Sequence, residues 1–426
     1  MAPPDGAFVP RVFESRMGSG AELSEQDQEQ GAVPVFDVDP YADDFLTDPY
    51  GDYEAFRDAG PVIRFSRYDA YAVARHEEVQ AVLTQPDIFC SGAGIGLTNF
   101  KKEKSWRVPS IILEADPPDH GPKRRILTRI LSPAALRKLR EEFERQAEYF
   151  ITRMIEKGSC DGVKDLAEAY PLKVFADAVG IPAEGREHLL PYGDLVFNAF
   201  GPINERFEKR MAASGATVEW IKTICSREAL TPDGFGAQLY AAADAGELEE
   251  DEAALLVRTM LSAGLDTTIF TLGNAIVSLA RNPEQWALLR DDPSLARNAL
   301  EEVMRYESTF QSFYRTTTQP TELAGVKIDA ERKIWVGIAS ANRDPRRWPD
   351  PTRFDITRRA SGNLAFGTGI HGCVGQMIAR MEGEIVLKTL AERVAELIPT
   401  GEPTIHFNNT VRGFSAMPLT VTAKAR

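Results

Sequence analysis

The apolar segment at residues 251–283, DEAALLVRTMLSAGLDTTIFTLGNAIVSLARNP, constrains the fold more than any other part of the chain. Its apolar residues cover most faces of a helix, and Asn282-Pro283 ends the pattern. A helix that is apolar nearly all round must be buried inside a protein. A chain of 426 residues can surround such a helix with one large core and needs no disulfide bonds to do so. We therefore expect a mostly α fold with a smaller β part and a long central helix.

Two patterns predict the elements that precede the central helix. Alternating runs around a polar turn at residues 62–75 predict a β-hairpin. At residues 136–158, apolar side chains recur every three or four positions, which predicts a helix that ends at Gly158.

After the central helix, the pattern turns from helical to mixed. Residues 315–340 and the C-terminal residues 402–426 have strand character, and residues 341–372 predict an ordered loop, with a helix after Cys373. No linker-like change in composition interrupts this pattern. We expect one domain over residues 34–426, preceded by a flexible polar tail at residues 1–33.

Charge and cysteine content exclude several classes of protein. Lys and Arg number 49 against 63 Asp and Glu, a net charge of −14, which argues against nucleic-acid binding across the whole surface. No uninterrupted apolar run approaches the ~20 residues that span a bilayer, and no signal peptide is visible. The four cysteines form no CxxC pair, which disfavours a disulfide framework or a zinc site. We expect a cytoplasmic protein that binds neither nucleic acid nor a membrane.

The strongest functional signal is FGTGIHGCVG at residues 366–375. A cysteine thiolate binds iron well, and in haem enzymes it favours cleavage of the O–O bond. Glycines let a backbone approach a flat cofactor closely. Backbone N–H groups and the N-terminus of the following helix stabilise a thiolate. For a shorter motif, a buried inert cysteine in a glycine-rich turn would be an equal alternative.

These ten residues resemble the haem-binding signature of the cytochrome P450 superfamily, Phe-x-x-Gly-x-His/Arg-x-Cys-x-Gly. AGLDTT at 263–268, ALEEVMRYES at 299–308 and NRDPRRWPDPTRFDITR at 342–358 match further motifs of that family in the right order. The resemblance implies the cytochrome P450 fold, with the central helix over a haem b group and Cys373 as the axial ligand of the iron. The other loop residues implied in cofactor binding are Phe366, Gly367 and Gly375.

In the family, the stretch that AGLDTT resembles activates O2. The resemblance implies that Ala263 and Gly264 leave room beside the haem, and that Asp266 and Thr267 are catalytic and deliver protons. Cleavage of the O–O bond needs two protons, which a hydroxyl and a carboxylate can supply. The alternative is an ordinary buried helix whose threonine hydroxyl bonds to the carbonyl four residues earlier.

Haem propionates carry two negative charges and need cations. The positions that hold them in the family correspond here to His120, Arg124, Arg315 and His371. Each of these side chains alone would be more typical of a solvated surface.

Glu302 and Arg305 are three residues apart on a predicted helix and can form an ion pair. The resemblance implies a buried structural cluster that also includes Arg353 and supports the cysteine loop.

The chain also resembles the bacterial subgroup that oxidises para-substituted benzoic acids such as 4-methoxybenzoate. The matching stretches include WRVPSIILEADPPDH (106–120), LVFNAFGP (195–202), LVRTMLSAGLDTT (256–268) and FNNTVRG (407–413). A buried carboxylate must be paired, because an unpaired charge costs several kcal/mol. The residues implied in binding the carboxylate are Arg107, Ser110, Arg258, Thr259 and Ser262. Those implied in clamping the aromatic ring are Ile112, Leu113, Phe197, Phe200 and Phe313, although phenylalanines alone would indicate plain core.

Two residues depart from the subgroup. Thr259 stands where the subgroup has serine, and Phe310 stands where a smaller aliphatic residue is expected. With these two departures, an aromatic acid is still the expected class of substrate, but the substituent that is oxidised stays open.

No flavin or dinucleotide-binding motif occurs, so electrons must come from other proteins. We expect an iron–sulfur ferredoxin and a flavin reductase that uses NAD(P)H. DHGPKRRILTRILSPAALRKLR at 119–140 has seven cations and one anion and would attract an acidic partner. We expect a monomer.

Three alternatives to this monooxygenase remain open. They are a monooxygenase of another small hydrophobic substrate, a peroxide-driven haem enzyme, and a haem-based sensor. Peroxide-driven relatives tend to lack the acid–alcohol pair that Asp266 and Thr267 provide.

Overall fold

The computed structural model describes residues 33–425. The tail expected at residues 1–33 lies outside the described residues, apart from residue 33 itself. Within the described range, helices form the larger part and strands the smaller part, as the sequence predicts.

The described residues form sixteen α-helices. They are α1 (Asp43–Thr47), α2 (Tyr50–Ala59), α3 (His76–Thr84), α4 (His120–Ile130), α5 (Pro133–Lys157), α6 (Ala169–Val179), α7 (Leu189–Asn198), α8 (Glu205–Ala213), α9 (Gly215–Ile224), α10 (Phe235–Asp244), α11 (Glu250–Gly264), α12 (Asp266–Arg281), α13 (Pro283–Asp291), α14 (Ala296–Glu307), α15 (Ile338–Ala341) and α16 (Gln376–Arg393).

The strands of the described residues form four sheets. They are β1 (Val35–Phe36), β2 (Ile63–Phe65), β3 (Ala70–Val73), β4 (Phe89–Cys90), β5 (Ser159–Asp161), β6 (Ser312–Thr317), β7 (Thr321–Leu323), β8 (Val326–Ile328), β9 (Lys333–Gly337), β10 (Val394–Pro399), β11 (Thr404–His406), β12 (Gly413–Ala416) and β13 (Pro418–Ala423). The largest sheet has the order β1-β2-β3-β9-β6-β4, and a second has the order β10-β13-β5. The pairs β7-β8 and β11-β12 form the two smallest sheets.

Both local predictions made ahead of the central helix are confirmed. Strands β2 and β3 pair antiparallel, with Ile63 opposite Ala72, and form the predicted hairpin. Helix α5 ends at Gly158, whose φ of 70° lies in the left-handed region that favours glycine. The serine before α5, Ser132, caps it by accepting a hydrogen bond from the N–H of Ala135.

The central helix is interrupted once. Helix α11 ends at Gly264 and α12 begins at Asp266, with Leu265 between them. Together they are long and apolar enough to cross a membrane by length and composition, but 61% of their most apolar window is buried inside the described protein. The central helix is therefore a core helix, as its all-round apolar pattern predicts.

A buried ion-pair cluster joins α14 to the long loop at residues 342–372. The side chains of Glu302 and Arg305 are 0% exposed and form two hydrogen bonds of 2.7 and 2.8 Å. Arg305 also donates to the carbonyl oxygens of Asn342 and Pro351, which belong to the loop.

The third member of this cluster differs from the sequence prediction. Arg358, with a side chain 11% exposed, donates to Glu302 Oε1 at 3.2 Å. Arg353 was expected in that place, but its side chain is 67% exposed and only its carbonyl oxygen accepts a bond from Arg305. The two arginines are five positions apart in a loop without helical or strand periodicity, so the pattern could not distinguish them.

Replacing the two loop arginines separates these roles. We expect Arg358→Ala to lower the free energy of unfolding by about 2 kcal/mol, because Glu302 loses a charge-assisted bond in a buried site. Arg353→Ala should change it by less than about 0.5 kcal/mol, since its side chain is exposed. Urea denaturation followed by circular dichroism measures both. Equal effects, or a larger effect at Arg353, would contradict the assignment.

Candidate active site around Cys373

The loop before α16 presents Cys373 through a tight backbone arrangement. The N–H of Cys373 donates to the carbonyl oxygen of Phe366 at 2.8 Å, which closes the loop. Gly367 has a φ of 63°, a left-handed conformation that a side chain would strain. A Cβ atom built on Gly367 would meet nothing closer than 4.0 Å, so the loop leaves open space on this side.

The environment of the Cys373 sulfur contains opposing effects. Burial raises the pKa of the thiol, whereas hydrogen bonds from the N–H groups of Gly375 and Gln376 and the charges of Arg124 and Arg380 lower it. Gly375 is the residue immediately before α16, so the positive N-terminus of that helix points at the sulfur. A metal ion at the sulfur would favour the thiolate further.

The ring of Phe366, at the start of this loop, makes a cation–π contact with Arg380. The guanidinium of Arg380 lies 4.4 Å from the centre of the Phe366 ring. Arg380 is itself paired with Glu301 at 2.5 Å. The ring therefore covers the cysteine loop in a fixed position.

Four side chains that can carry positive charge lie in the same region and form no ion pair with the described residues, while the charge of Asp116 acts on His120 and Arg315. The rings of His120 and His371 lie 4.4 Å apart, and the Nε2 atom of each is buried with no hydrogen-bond partner among residues 33–425. Arg124 and Arg315 form no ion pair with the described residues. Burial lowers the pKa of Arg315 to about 10. Burial and the neighbouring charges of Arg315, His120 and Arg124 lower the pKa of His371 to about 3.

These observations fit a haem group. Arg315 is buried and Arg124 partly buried, and neither forms an ion pair with the described residues; the two propionates of haem would supply two negative charges. His120, Arg124, Arg315 and His371 would hold the propionates, and Cys373 would bind the iron. Within residues 33–425, no cluster of three His, Cys, Asp or Glu side chains could hold a metal ion.

On the central helix, Ala263 is partly accessible, as expected for a residue beside a cofactor. Gly264 has a different neighbour from the one expected: a Cβ atom there would lie 2.4 Å from Cζ of Phe175 in α6. The absence of a side chain at Gly264 therefore makes room for a phenylalanine ring.

Thr267 and Asp266 lie at the helix interruption. The Thr267 hydroxyl donates a hydrogen bond to the carbonyl oxygen of Ala263 at 2.8 Å. Its oxygen can still accept a hydrogen bond from another group. Asp266 is 3% exposed, and its Oδ1 atom has no hydrogen-bond partner among the described residues. Burial raises the pKa of Asp266 well above its ordinary value, and the charges of Asp194 and Glu168 raise it further.

Asp194, whose charge contributes to the raised pKa of Asp266, has hydrogen-bond partners of its own. It accepts hydrogen bonds from Arg210 at 2.5 Å, His406 at 2.9 Å and Asn408 at 2.8 Å. Burial raises the pKa of Asp194, but His406, Arg210 and Asn408 together bring it below the ordinary value. The pKa values of these two carboxyls are therefore shifted in opposite directions.

Residues from the loop before α4 and from the central helix meet at a polar cluster, here called the acid site. The hydroxyl oxygens of Ser110 and Thr259 are 3.2 Å apart. Arg107 and Arg258 both donate to the carbonyl oxygen of Val108, at 3.0 and 2.8 Å. Four of the five residues expected to bind a carboxylate are thus in contact or share a partner.

The fifth, Ser262, directs its hydroxyl elsewhere. It donates to the carbonyl oxygen of Thr259 at 3.3 Å, within its own helix. Arg107 also has a partner that the sequence did not indicate, because both of its terminal nitrogens bond to Glu114 at 3.0 Å.

Four phenylalanines form a continuous cluster of edge-to-face rings. Phe197 lies 6.0 Å from Phe200 and 5.8 Å from Phe310, and Phe310 lies 5.6 Å from Phe313. The guanidinium of Arg315 is 4.5 Å from the Phe313 ring, so one end of the cluster reaches the expected propionate site. Ile112 is 3% exposed and belongs to the same hydrophobic core, against which Leu113 packs. Phe310, the unexpected large residue, lies between the predicted residues Phe197 and Phe313 and contacts both rings.

Three residues of the site were missed by sequence reasoning. Glu114 pairs with Arg107, and Tyr192 lies near Arg258 and Arg107, whose charges oppose the rise in its pKa that burial causes. A Cβ atom on Gly193 would lie 2.1 Å from Oδ2 of Asp266, so only glycine fits there. No local pattern marked these residues, since each acts through a partner far along the chain or in a loop.

Comparison with known proteins agrees with this geometry. The family model described as Cytochrome P450 matches residues 199–422. The chain is 50% identical over 396 residues to "Cytochrome p450 CYP199A2" of Rhodopseudomonas palustris, covering 93% of this chain and 96% of that protein. It is 31% identical to "Cytochrome P450 107B1" of Saccharopolyspora erythraea, covering 91% and 98%.

Solved structures give the same result. The structure of cytochrome P450 CYP109Q5 from Chondromyces apiculatus superposes with a TM-score of 0.77 at 29% identity, covering 91% of this chain and 99% of that one. The expected fold is confirmed, and the chain belongs to the cytochrome P450 family of haem-iron monooxygenases.

Proposed function

We propose that this monooxygenase hydroxylates or O-demethylates a small aromatic carboxylic acid of the 4-methoxybenzoate kind. The observation that carries the proposal is the acid site beside the phenylalanine cluster. Arg107 and Phe200 line one cavity of about 90 Å³, so a cationic group and an aromatic ring face the same space. The resemblance of residues 106–120, 195–202, 256–268 and 407–413 to the benzoate-oxidising subgroup supports the same substrate class.

The acid site has donors to spare for a substrate carboxylate. Glu114 engages both terminal nitrogens of Arg107, but Nε of Arg107 makes no hydrogen bond with the described residues. Arg258 uses only one terminal nitrogen, towards Val108. Each hydrogen bond to a charged group contributes ~1.5–3 kcal/mol, which offsets the loss of hydration of the acid.

The aromatic ring of the substrate would lie among Phe197, Phe200, Phe310 and Phe313. Edge-to-face contacts fix the orientation of such a ring beyond what burial alone does. Phe310 narrows this space compared with an aliphatic residue, so we expect preference for a small para substituent such as methoxy.

Bound haem supplies a redox-active iron at which O2 is reduced. One oxygen atom enters the substrate and the other leaves as water, with uptake of two electrons and two protons. On a methoxy carbon the resulting hemiacetal gives formaldehyde and a phenol; on an alkyl carbon the product is an alcohol. Asp266 suits proton donation, since burial and the neighbouring charges of Asp194 and Glu168 raise its pKa and so favour the protonated form. Thr267 would pass that proton onward.

The electrons would come from a ferredoxin and its NAD(P)H-dependent flavin reductase. Of the seven cations at residues 119–140, Lys123, Arg129 and Arg140 pair with carboxylates of the chain. The charge of Arg124 interacts with the sulfur of Cys373. The remaining cations are exposed and form no ion pair with the described residues: Arg125, Arg137 and Lys138. These three would attract an acidic partner.

We also propose that residues 34–426 act as one haem domain in a cytoplasmic monomer. The acid–alcohol pair, Asp266 and Thr267, favours O2-dependent turnover over a peroxide-driven enzyme or a sensor.

Titration of the haem-loaded ferric protein with 4-methoxybenzoate tests the substrate class. We expect a shift from low-spin to high-spin iron, because the acid enters beside the haem and excludes water. Ser110→Ala should weaken binding by about tenfold, as loss of one bond to a charged group predicts. Ser66→Ala, at an exposed serine between β2 and β3, is the control. No shift with any aromatic acid would overturn the proposed substrate.

The proton-relay role of Thr267 is tested by the coupling of electron use to product. With its electron-transfer partners present, Thr267→Ala should release hydrogen peroxide and form roughly tenfold less product per NAD(P)H, since proton delivery is lost. Thr268→Ala is the control, because Thr268 is also buried and bonds to the carbonyl oxygen of Gly264. Unchanged coupling in Thr267→Ala would refute the relay.

Charge reversal tests the docking surface. Arg137→Glu and Lys138→Glu should each slow reduction by the ferredoxin by about tenfold at low ionic strength, and the difference should shrink as salt is added. Lys222→Glu should have little effect, since Lys222 is exposed on α9, which packs against α7 and α8. Rates that ignore both charge reversal and salt would place the docking surface elsewhere.

A further inference from the structure

Glu114 is a buried acidic residue inside the acid site. Its side chain is 0% exposed, and it accepts hydrogen bonds from both terminal nitrogens of Arg107 at 3.0 Å and from the N–H of Ser110 at 2.6 Å. Arg107 and Ser110 are also the residues expected to hold the substrate carboxylate. A carboxylate of the protein therefore already occupies part of that donor set.

The geometry of this pair leaves one direction open. Glu114 takes the end of the Arg107 guanidinium formed by the two terminal nitrogens. A planar guanidinium also offers a side edge, formed by Nε–H and the second hydrogen of Nη2. A second carboxylate can bind along that edge while Glu114 stays in place, and Glu114 fixes the plane in which the edge lies.

The charges of the acid site can be counted from its contacts. Arg107 and Arg258 approach each other closely enough to share the carbonyl oxygen of Val108. Burial lowers the pKa of Arg258, and the charge of Arg107 lowers it further. Two guanidinium groups and the Glu114 carboxylate leave one net positive charge.

We propose that Glu114 makes this site selective for ligands with a single negative charge; the inference rests on the proposed function. One monoanion neutralises the site. A dianion would leave an unpaired negative charge that Glu114 also repels, and a neutral ligand would leave the positive charge unpaired. Glu114 is thus a specificity-determining residue that works by excluding the wrong charge.

Two of the other titratable groups near this cluster are buried, whereas Glu103 and Lys104, which line the same cavity, are exposed. Lys333 of β9 donates to the carbonyl oxygens of Ala93, Gly94 and Gly96 at 3.3, 2.9 and 2.8 Å. The other group is Tyr192 of α7, which lies near both arginines. Comparing ligands at one pH keeps the contributions of both groups constant.

The test compares two ligands that differ in charge but have tetrahedral head groups of similar shape. At pH 8.5, 4-methoxybenzenesulfonate is a monoanion and 4-methoxyphenylphosphonate is a dianion. Their dissociation constants are measured on the haem-loaded protein by spin shift or by displacement of 4-methoxybenzoate. The variant is Glu114→Gln, which keeps the shape of the side chain. The control is Glu103→Gln, an exposed carboxylate that lines the same cavity.

We expect the wild-type protein to bind the sulfonate more tightly than the phosphonate. Glu114→Gln should move the ratio of the two dissociation constants by about tenfold or more in favour of the dianion, since one negative charge is removed from a site of low polarity. Glu103→Gln should keep the wild-type ratio. The normal haem-thiolate spectrum of each variant shows that it is folded.

Two results would overturn the inference. One is a wild-type protein that binds the dianion as tightly as the monoanion, which needs no variant. The other is a Glu114→Gln protein whose ratio does not move towards the dianion, for then Glu114 only orients Arg107. Either result leaves the proposed function standing if 4-methoxybenzoate still shifts the spin state, whereas failure of 4-methoxybenzoate itself removes the proposed function.

Discussion

The side chains of Glu302 and Arg305 are fully buried, and their ion pair organises the least regular part of the chain. Between α15 and α16 the backbone forms no long helix or strand, so its carbonyl groups need partners elsewhere. Arg305 supplies them at Asn342 and Pro351, and Arg358 supplies them at Pro349. This segment ends in the loop of Cys373, so the position of the sulfur depends on a charge cluster that takes no part in the chemistry.

Some buried charges are paired within the protein, and others have no ion-pair partner among the described residues. The Glu302 cluster is complete within the protein, whereas Arg124 and Arg315 have no ion-pair partner among residues 33–425. Desolvation makes such cations costly, so the unpaired ones indicate where an anionic ligand is expected. The acid site lies between these cases, because Glu114 neutralises one of its two guanidinium groups. The number of buried charges that have no ion-pair partner within the described protein thus indicates the charge of the ligand expected at each site.

Features with a short-range physical cause could be predicted from the sequence. The central helix followed from its apolar residues, the end of α5 from Gly158, and the cysteine loop from ten consecutive residues. Partners chosen by three-dimensional packing could not. Arg358 replaces Arg353 because the loop turns without regular period, and Glu114 reaches Arg107 across seven positions of irregular chain. Gly264 was assigned to the cofactor from its size, while the ring that fills its space, Phe175, comes from α6.

The interruption at Leu265 connects local structure to the proposed proton relay. The hydroxyls of Thr267 and Thr268 bond to the carbonyl groups of Ala263 and Gly264, and such bonds compete with the regular helix. The side chain of Asp266 is held at this irregular turn, against Gly193, where burial raises the pKa of the carboxyl. In a regular helix, the backbone carbonyl groups of Ala263 and Gly264 would accept hydrogen bonds from backbone N–H groups four residues later. Because the helix is interrupted here, a hydroxyl and a carboxyl of raised pKa lie on successive residues, the arrangement on which the proposed relay depends.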